Sequence, residues 1–194
     1  LRVALNAHEN QDVAVFTVQR FGNGSVQIQL IGDEALYGRN YIIEPIYADN
    51  QNETPNPGYI GRVNTRSNVT VVHTTTYEVA TWPLIRFIFF PGYVTWRSSW
   101  YWGYRPYYWN PWRPYYWHTY YGYHYHWHRH YYNHYRHWHH HRYARYNDFY
   151  YRDVRSYSPR IKIKINEGRY RATYSRPDLR NRGTELYAMD TRNG

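Results

Sequence analysis

Hydrophobic and polar positions alternate over much of the first ninety residues. The run Asp12-Val-Ala-Val-Phe-Thr-Val-Gln-Arg20 is rich in β-branched side chains and roughly alternating. After Phe21-Gly-Asn-Gly24 comes Ser25-Val-Gln-Ile-Gln-Leu-Ile31, in which Val26, Ile28 and Leu30 share one face. Two such runs around a Gly/Asn turn predict a β-hairpin, because strand side chains repeat every second residue and Asn and Gly accept the backbone of a tight turn. Further strand material follows in Tyr41-Ile-Ile-Glu-Pro-Ile46 and in a Thr/Val-rich stretch over 69–81, separated by a polar loop at 48–58 that carries Asn-Pro-Gly. No window here shows a 3.6-residue apolar period, so the pattern predicts a mainly β fold, a small antiparallel sandwich or barrel.

Past residue 154 the same alternation returns. Arg160-Ile-Lys-Ile-Lys-Ile165 has one Ile face and one cationic face, Asn166-Glu-Gly-Arg169 reads as a turn, and Tyr170-Arg-Ala-Thr-Tyr174 as a return strand. This predicts a C-terminal β-hairpin at a sheet edge or against an anionic partner. The pattern therefore divides the chain into a β domain (1–92), a middle segment (93–153) and a C-terminal hairpin with a polar tail (154–194).

Composition sets the middle segment apart. Residues 93–151 hold 27 Phe, Trp or Tyr, 10 His and 7 Arg, against one acidic residue, Asp148. Tyr104-Arg-Pro-Tyr-Tyr-Trp109 recurs as Trp112-Arg-Pro-Tyr-Tyr-Trp117, and Pro106, Pro111 and Pro114 disfavour a helix or a central strand there. An extended, polyproline-like path with stacked rings is the expected conformation. Disordered chains are poor in aromatics, since each ring gains by leaving water, so this segment is expected to pack against something. Of the 24 cationic residues all but Lys162 and Lys164 are Arg, whose flat guanidinium stacks on rings.

A domain of about ninety residues has too little surface to cover so many rings. Large exposed apolar area marks an interaction surface. Subunits that share the segment, a flat-faced ligand such as a glycan, and a second internal core are the three readings. Assembly into a homo-oligomer or polymer is favoured, with Trp100, Trp102, Tyr104, Arg105, Trp109, Trp112, Arg113 and Trp117 as the stacking residues.

The histidines offer a different chemistry. His124, His126, His128 and His130 alternate with rings, which on a strand places four imidazoles on one face; His130, His134, His137 and His141 have the spacing of one helix face. Either pattern suits zinc, copper, nickel or haem, yet His is interleaved with Tyr throughout and no carboxylate pattern accompanies it, so stacking is the favoured role. Burial beside cationic neighbours is expected to lower these histidines' pKa values.

Other classes are excluded or ranked low. Without cysteine there is no disulfide scaffold, thiolate metal site or cysteine nucleophile. The most apolar stretch, 82–91, contains Arg86 and two prolines and is shorter than the roughly 20 residues of a spanning helix. Rings and arginines suit single-stranded nucleic acid, but no RNP-type segment or finger is present, so that partner is disfavoured. Gly22-Asn-Gly24 lacks the rest of a dinucleotide loop, His8-Glu9 lacks a second His, no Gly-x-Ser-x-Gly occurs, and Asp33 and Glu34 are expected on opposite faces of a strand; the chain is read as no enzyme. Asn23, Asn52 and Asn68 head sequons and are candidate glycosylation positions. A start at Leu1 rather than Met fits a removed leader or a fragment.

The phrases Leu30-Ile-Gly-Asp-Glu-Ala-Leu-Tyr-Gly38, Tyr41-Ile-Ile-Glu-Pro45 and Pro91-Gly-Tyr-Val-Thr-Trp-Arg-Ser-Ser-Trp-Tyr-Trp-Gly-Tyr104, with Trp-Arg-Pro after them, resemble a group of cell-envelope proteins of Bacteroidota. Those proteins carry an N-terminal β domain and a Trp/Tyr/Pro/Arg-rich segment that runs into a His-rich stretch. The resemblance covers about 25–140 and implies export to the cell surface or periplasm, with no activity attached. The expectation is an exported, self-assembling structural protein of an extracellular fibre or cell-envelope complex. A transition-metal or haem module on the His segment is the alternative, followed by glycan or nucleic-acid binding through the rings.

Overall fold

The computed structural model describes residues 1–37, 40–48, 71–101, 103–109 and 128–168. Strands β1 (Arg2–Asn6) and β2 (Glu9–Asp12) form a two-stranded antiparallel ribbon. A four-stranded antiparallel sheet follows in the order β3 (Ala14–Arg20), β4 (Val26–Gly32), β5 (Ile42–Pro45) and β6 (Tyr135–Trp138). Its fourth strand comes from inside the Tyr- and His-rich segment.

The β3–β4 hairpin forms where alternation placed it. Phe21 N–H donates to Ser25 O (2.9 Å) and Gly24 N–H to Phe21 O (2.9 Å). Gly24 sits at φ 82°, a left-handed position that glycine adopts without a Cβ clash. The Asn23 side-chain oxygen accepts from Ser25 N–H and Ser25 Oγ, which locks the turn.

Partners in an antiparallel pair share a face, so each side of the sheet can be read from its register. One face carries the row Val15, Ile31, Ile42 and Trp138. Tyr143, Tyr146, Tyr150 and Val154 pack on that row, supplied by the chain after β6. The other face carries Val18, Val26 and Ile28, which with Tyr47 meet Val79, Ala80, Trp82 and Ile85 from helices α2 (Thr76–Thr81) and α3 (Pro83–Ile88). The expected antiparallel sheets are therefore present, but helical segments cover both faces where a sandwich would place a second sheet.

Three sequence expectations are corrected. The stretch 76–88 is helical, because Thr75 caps α2: its Oγ1 accepts from Glu78 N–H (3.1 Å) while Glu78 Oε2 accepts from Thr75 N–H (2.7 Å). Pro83 opens α3, where its missing N–H costs nothing. The expected strand at 160–165 is instead helix α6 (Pro159–Asn166), numbered after α1 (Glu34–Tyr37), α4 (His128–His134) and α5 (Tyr146–Phe149). Alternation misleads here because residues i and i+4 share a face in both geometries. Ile161 is buried, Ile165 half-buried, and the intervening Ile163 is 56% exposed. Glu9 Oε1 accepts from Arg160 N–H (3.1 Å), which holds the start of the helix. The return strand expected at 170–174 lies outside the described residues. Finally, of the strand and helix alternatives for the histidines, the strand does not hold from His128 onward, where the chain forms helix α4 and turns into β6 at Tyr135; residues 124–127 lie outside the described residues.

Candidate functional site

The strongest candidate surface is an aromatic arm that begins on the outer side of α3. Ile85 anchors this helix in the core while Leu84 and Phe87 face outward, so the helix is apolar on both sides. The chain then runs to 109 almost without regular pairing. Tyr101 and Tyr104 exchange backbone hydrogen bonds (3.2 and 2.9 Å) around Gly103 at φ 85°, and their rings stack at 4.8 Å. Pro106 O accepts from Trp109 N–H (3.1 Å), which folds the end of the arm back.

This folding sorts the stacking residues into two groups. Trp100 meets Trp109 at 6.1 Å between ring centres, and the Arg105 guanidinium lies 5.0 Å over Trp109. These predicted residues, with Tyr104, stack within the arm itself. The most outward rings are Phe87 (59% exposed), Phe90 (62%), Trp96 (82%), Tyr107 (99%) and Tyr108 (70%), with Tyr104, stacked on Tyr101 through one face, still 56% exposed. The repeat Tyr104-Arg-Pro-Tyr-Tyr-Trp109 contains Tyr107 and Tyr108 without singling them out, and Phe87 and Phe90 lie outside it; the i, i+3 spacing of Leu84, Phe87 and Phe90 was the available signal for those two. Trp102, Trp112, Arg113 and Trp117 lie outside the described residues.

Among the described residues, the predicted histidines that meet one another are His130 and His134. His130 and His134, one helical turn apart, stack at 4.1 Å, and His134 Nδ1 donates to His130 O (2.8 Å). His137 is on β6, where Nε2 donates to Asn40 O (3.1 Å). His141 stacks on Tyr146 at 4.1 Å. The four therefore do not share the helix face that their spacing predicted, because α4 ends at His134. Among the described residues no group of three or more His, Asp or Glu is placed to hold a metal ion. His124 and His126, and the side chain of His128, lie outside the description.

Burial lowers the pKa of both His130 and His141; the second cause is a neighbouring imidazole, His134 and His140 respectively, where the sequence pointed to arginine. The Nδ1 atom of His141 is buried without a hydrogen-bond partner, so a proton there would be an unpaired charge out of water.

Two buried charge clusters hold the surrounding fold. In the first, the Glu44 carboxylate receives Arg136 Nε (3.0 Å) and Nη2 (2.9 Å), Arg142 Nε (2.6 Å) and Nη2 (2.9 Å), and Gln29 Nε2 (2.9 Å). Both guanidiniums also lie over Trp138, at 4.2 and 4.9 Å. One carboxylate thus ties β4, β5, β6 and the following loop together.

The second cluster joins the ribbon to the segment after α5. The Arg155 guanidinium, 1% exposed, lies 2.7 Å from Asp33, 3.6 Å from Asp12 and 3.6 Å from Glu34, and Arg2 Nε donates to Asp12 at 2.8 Å. Asp33 and Glu34, expected on opposite strand faces, both reach this cation, because Asp33 opens helix α1 with its Oδ1 accepting from Ala35 N–H (2.9 Å). Tyr150 donates to the other Asp33 oxygen. Burial raises the Asp33 pKa against the pull of Tyr150 and Arg155, and burial followed by the Asp33 charge raises that of Tyr150. Burial likewise pushes Tyr47 up to about 12, where its hydroxyl accepts from Ile28 N–H (2.9 Å).

Of the sequon residues, Asn23 is exposed, with its amide donating to the Tyr77 hydroxyl (3.1 Å); Asn52 and Asn68 lie outside the described residues. No described helix is long and apolar enough to cross a membrane. Comparison with known protein families, with curated proteins and with solved structures finds no match to this chain.

Proposed function

We propose that this chain is an exported structural subunit that self-associates through its aromatic arm to build an extracellular fibre or cell-envelope complex. The observation that carries the reading is the exposure of five large rings on one stretch of chain, Phe87, Phe90, Trp96, Tyr107 and Tyr108. Large exposed apolar area marks an interaction surface. Covering Trp96, Tyr107 and Tyr108 alone removes roughly 400 Å² of ring surface, about 10 kcal/mol gross at ~25 cal/mol per Å². Association itself costs ~4–15 kcal/mol, so one arm only about balances the loss of freedom. A head-to-tail contact, in which each arm lies on the next subunit, buries apolar surface on both partners, tips the balance and repeats from subunit to subunit. Arg97 and Arg105 supply guanidinium groups that suit packing between rings. Export is supported by the resemblance of the segments at 30–45 and 91–104 to Bacteroidota cell-envelope proteins.

The test is the combined substitution Trp96→Ser, Tyr107→Ser and Tyr108→Ser, followed by light scattering on the eluting particle. The expected result is a fall to a small discrete species with an unchanged far-ultraviolet spectrum. Persistence of the parent's high-mass species would show that these rings serve no contact between subunits.

A further inference from the structure

Tyr150 and Tyr151 are neighbours in sequence, as are Asp33 and Glu34, and the fold joins the two pairs hydroxyl to carboxylate. Tyr150 donates its phenolic O–H to Asp33 Oδ2, and Tyr151 donates to Glu34 Oε2 (3.3 Å). The first contact lies in the core, where Tyr150 is 4% exposed and Asp33 is buried. Asp33 Oδ1 accepts from Ala35 N–H (2.9 Å) and Gln11 Nε2 (3.4 Å), and Arg155 Nη2 stands 2.7 Å from Oδ2. Donors therefore meet both oxygens, which suits the ionised carboxylate, an acceptor with no proton of its own. The Tyr150 ring also stands in a stack. His141 lies on Tyr146 at 4.1 Å, Tyr146 on Tyr150 at 5.3 Å with 16° between planes, and Tyr150 meets Tyr151 edge-on at 5.3 Å. Tyr146 and Tyr150 meet because residues four apart share a helix face. Tyr151, 48% exposed, brings the stack to the surface.

We propose that Tyr151 and Tyr150 form a radical relay in which Glu34 and Asp33 take the phenolic protons and Tyr150 stores the oxidising equivalent. The oxidant is an outer-sphere one-electron acceptor from solution, an oxyl radical or a metal complex. It takes an electron from Tyr151, whose proton passes to Glu34. Tyr150 then gives an electron to Tyr151 while its own proton crosses to Asp33 Oδ2. Glu34 returns the first proton, so Tyr151 is restored and the neutral radical rests on Tyr150. Two features hold it there. The Arg155 guanidinium lies 4.9 Å over the Tyr150 ring and penalises a radical cation, so electron and proton leave together. The proton lands on a carboxylate that lies within hydrogen-bond reach and whose pKa burial raises, so the transfer neutralises a charge held away from water. Burial, then the Asp33 charge, raises the Tyr150 pKa in turn, so the phenol keeps its proton until an electron departs. No residue of the aromatic arm takes part, and the proposal is independent of self-association.

The test is photo-oxidation of the full chain with a ruthenium tris-bipyridyl complex and persulfate, followed by electron paramagnetic resonance on samples frozen at increasing delays. Radicals on exposed tyrosines meet one another, couple and vanish, whereas a radical on a buried ring cannot. The parent chain is therefore expected to show a tyrosyl signal with a fast and a slow decay. Tyr150→Phe keeps the ring and removes the hydroxyl, and should cut the slow component several-fold while the fast one stays. Tyr151→Phe, at a half-exposed position where the fold is under little strain, should leave the slow lifetime intact and fill it several-fold more slowly. Deuterated water should slow the filling as well, because a proton moves with each electron; a purely structural hydrogen bond would give no such effect. A parent signal without a slow component, or a slow component of equal size in Tyr150→Phe, overturns storage on Tyr150. A filling rate unchanged both in Tyr151→Phe and in deuterated water overturns the relay.

Discussion

Replacing Glu44 with Gln removes one negative charge and leaves the volume nearly unchanged, which isolates the electrostatic role of this carboxylate. Its side chain is fully buried and that of Arg136 is 1% exposed, while Arg142 keeps 18% of its surface. The carboxylate answers two guanidiniums and the Gln29 amide at 2.6–3.0 Å. An amide offers one acceptor oxygen and turns its NH2 toward groups that are themselves donors. Removing one member of a buried ion pair costs about 3–5 kcal/mol, since the remaining charge stays out of water without compensation. Domains of this kind have ~5–15 kcal/mol in total, so Glu44→Gln is expected to consume a large share of the stability. At roughly 2–4 °C per kcal/mol for a chain of this size, the melting temperature falls by about 6–20 °C. Urea unfolding followed by tryptophan fluorescence measures the change, with Trp138 beneath both guanidiniums. Adding Arg142→Gln should recover part of the loss, because it removes one of the two cations left without a counter-charge. A loss below about 1 kcal/mol, or a double variant that is simply additive, would mean that water already compensates these charges.

Further outcomes follow from single contacts. Gly32→Ala places a Cβ 2.7 Å from Tyr37 Cδ2 and 2.8 Å from Tyr41 Cδ1, so the two rings, stacked at 4.8 Å, must move; a loss of about 1–3 kcal/mol in urea unfolding is expected, and a neutral result would show that the stack yields freely. Thr75→Ala removes the cap of α2 and should cost about 1 kcal/mol by the same assay, with an unchanged value excluding the capping role. His130 and His141 bind protons less readily folded than unfolded, so their contribution is intact above the unfolded pKa of about 6.5 and is lost as pH falls through it toward the folded values. The melting temperature should therefore drop between pH 7.5 and 5.5, and His141→Phe, which keeps a ring on Tyr146, should flatten that dependence; an equal slope in the variant refutes it.

The sheet was legible where local signals agree, although both of its faces are covered. In β3 and β4, alternation and turn chemistry agree, and register follows from them. The capping box of Thr75 and Glu78 and the proline at 83 are helix-start signals present in the sequence, which a reading based on the Thr/Val content of the stretch leaves unused. Ile161, Ile163 and Ile165 could not be resolved by pattern at all, because their spacing suits a two-turn helix whose start is held by Glu9, more than a hundred residues away. The destination of the Tyr- and His-rich segment was hidden for the same reason: Trp138 lies beneath Arg136 and Arg142, which Glu44 holds from a strand more than ninety residues earlier, and nothing local in the sequence announces that pairing. At the arm, the sequence located the rings but not which of them face outward, since that is decided by the turns at Gly103 and Pro106.

Sedimentation velocity of the full chain over a hundredfold range of concentration tests self-association most directly. The account predicts a species of many subunits that persists on dilution, because a head-to-tail contact through the arm leaves each end free for a further subunit. A single 24.0 kDa particle at every concentration would contradict it.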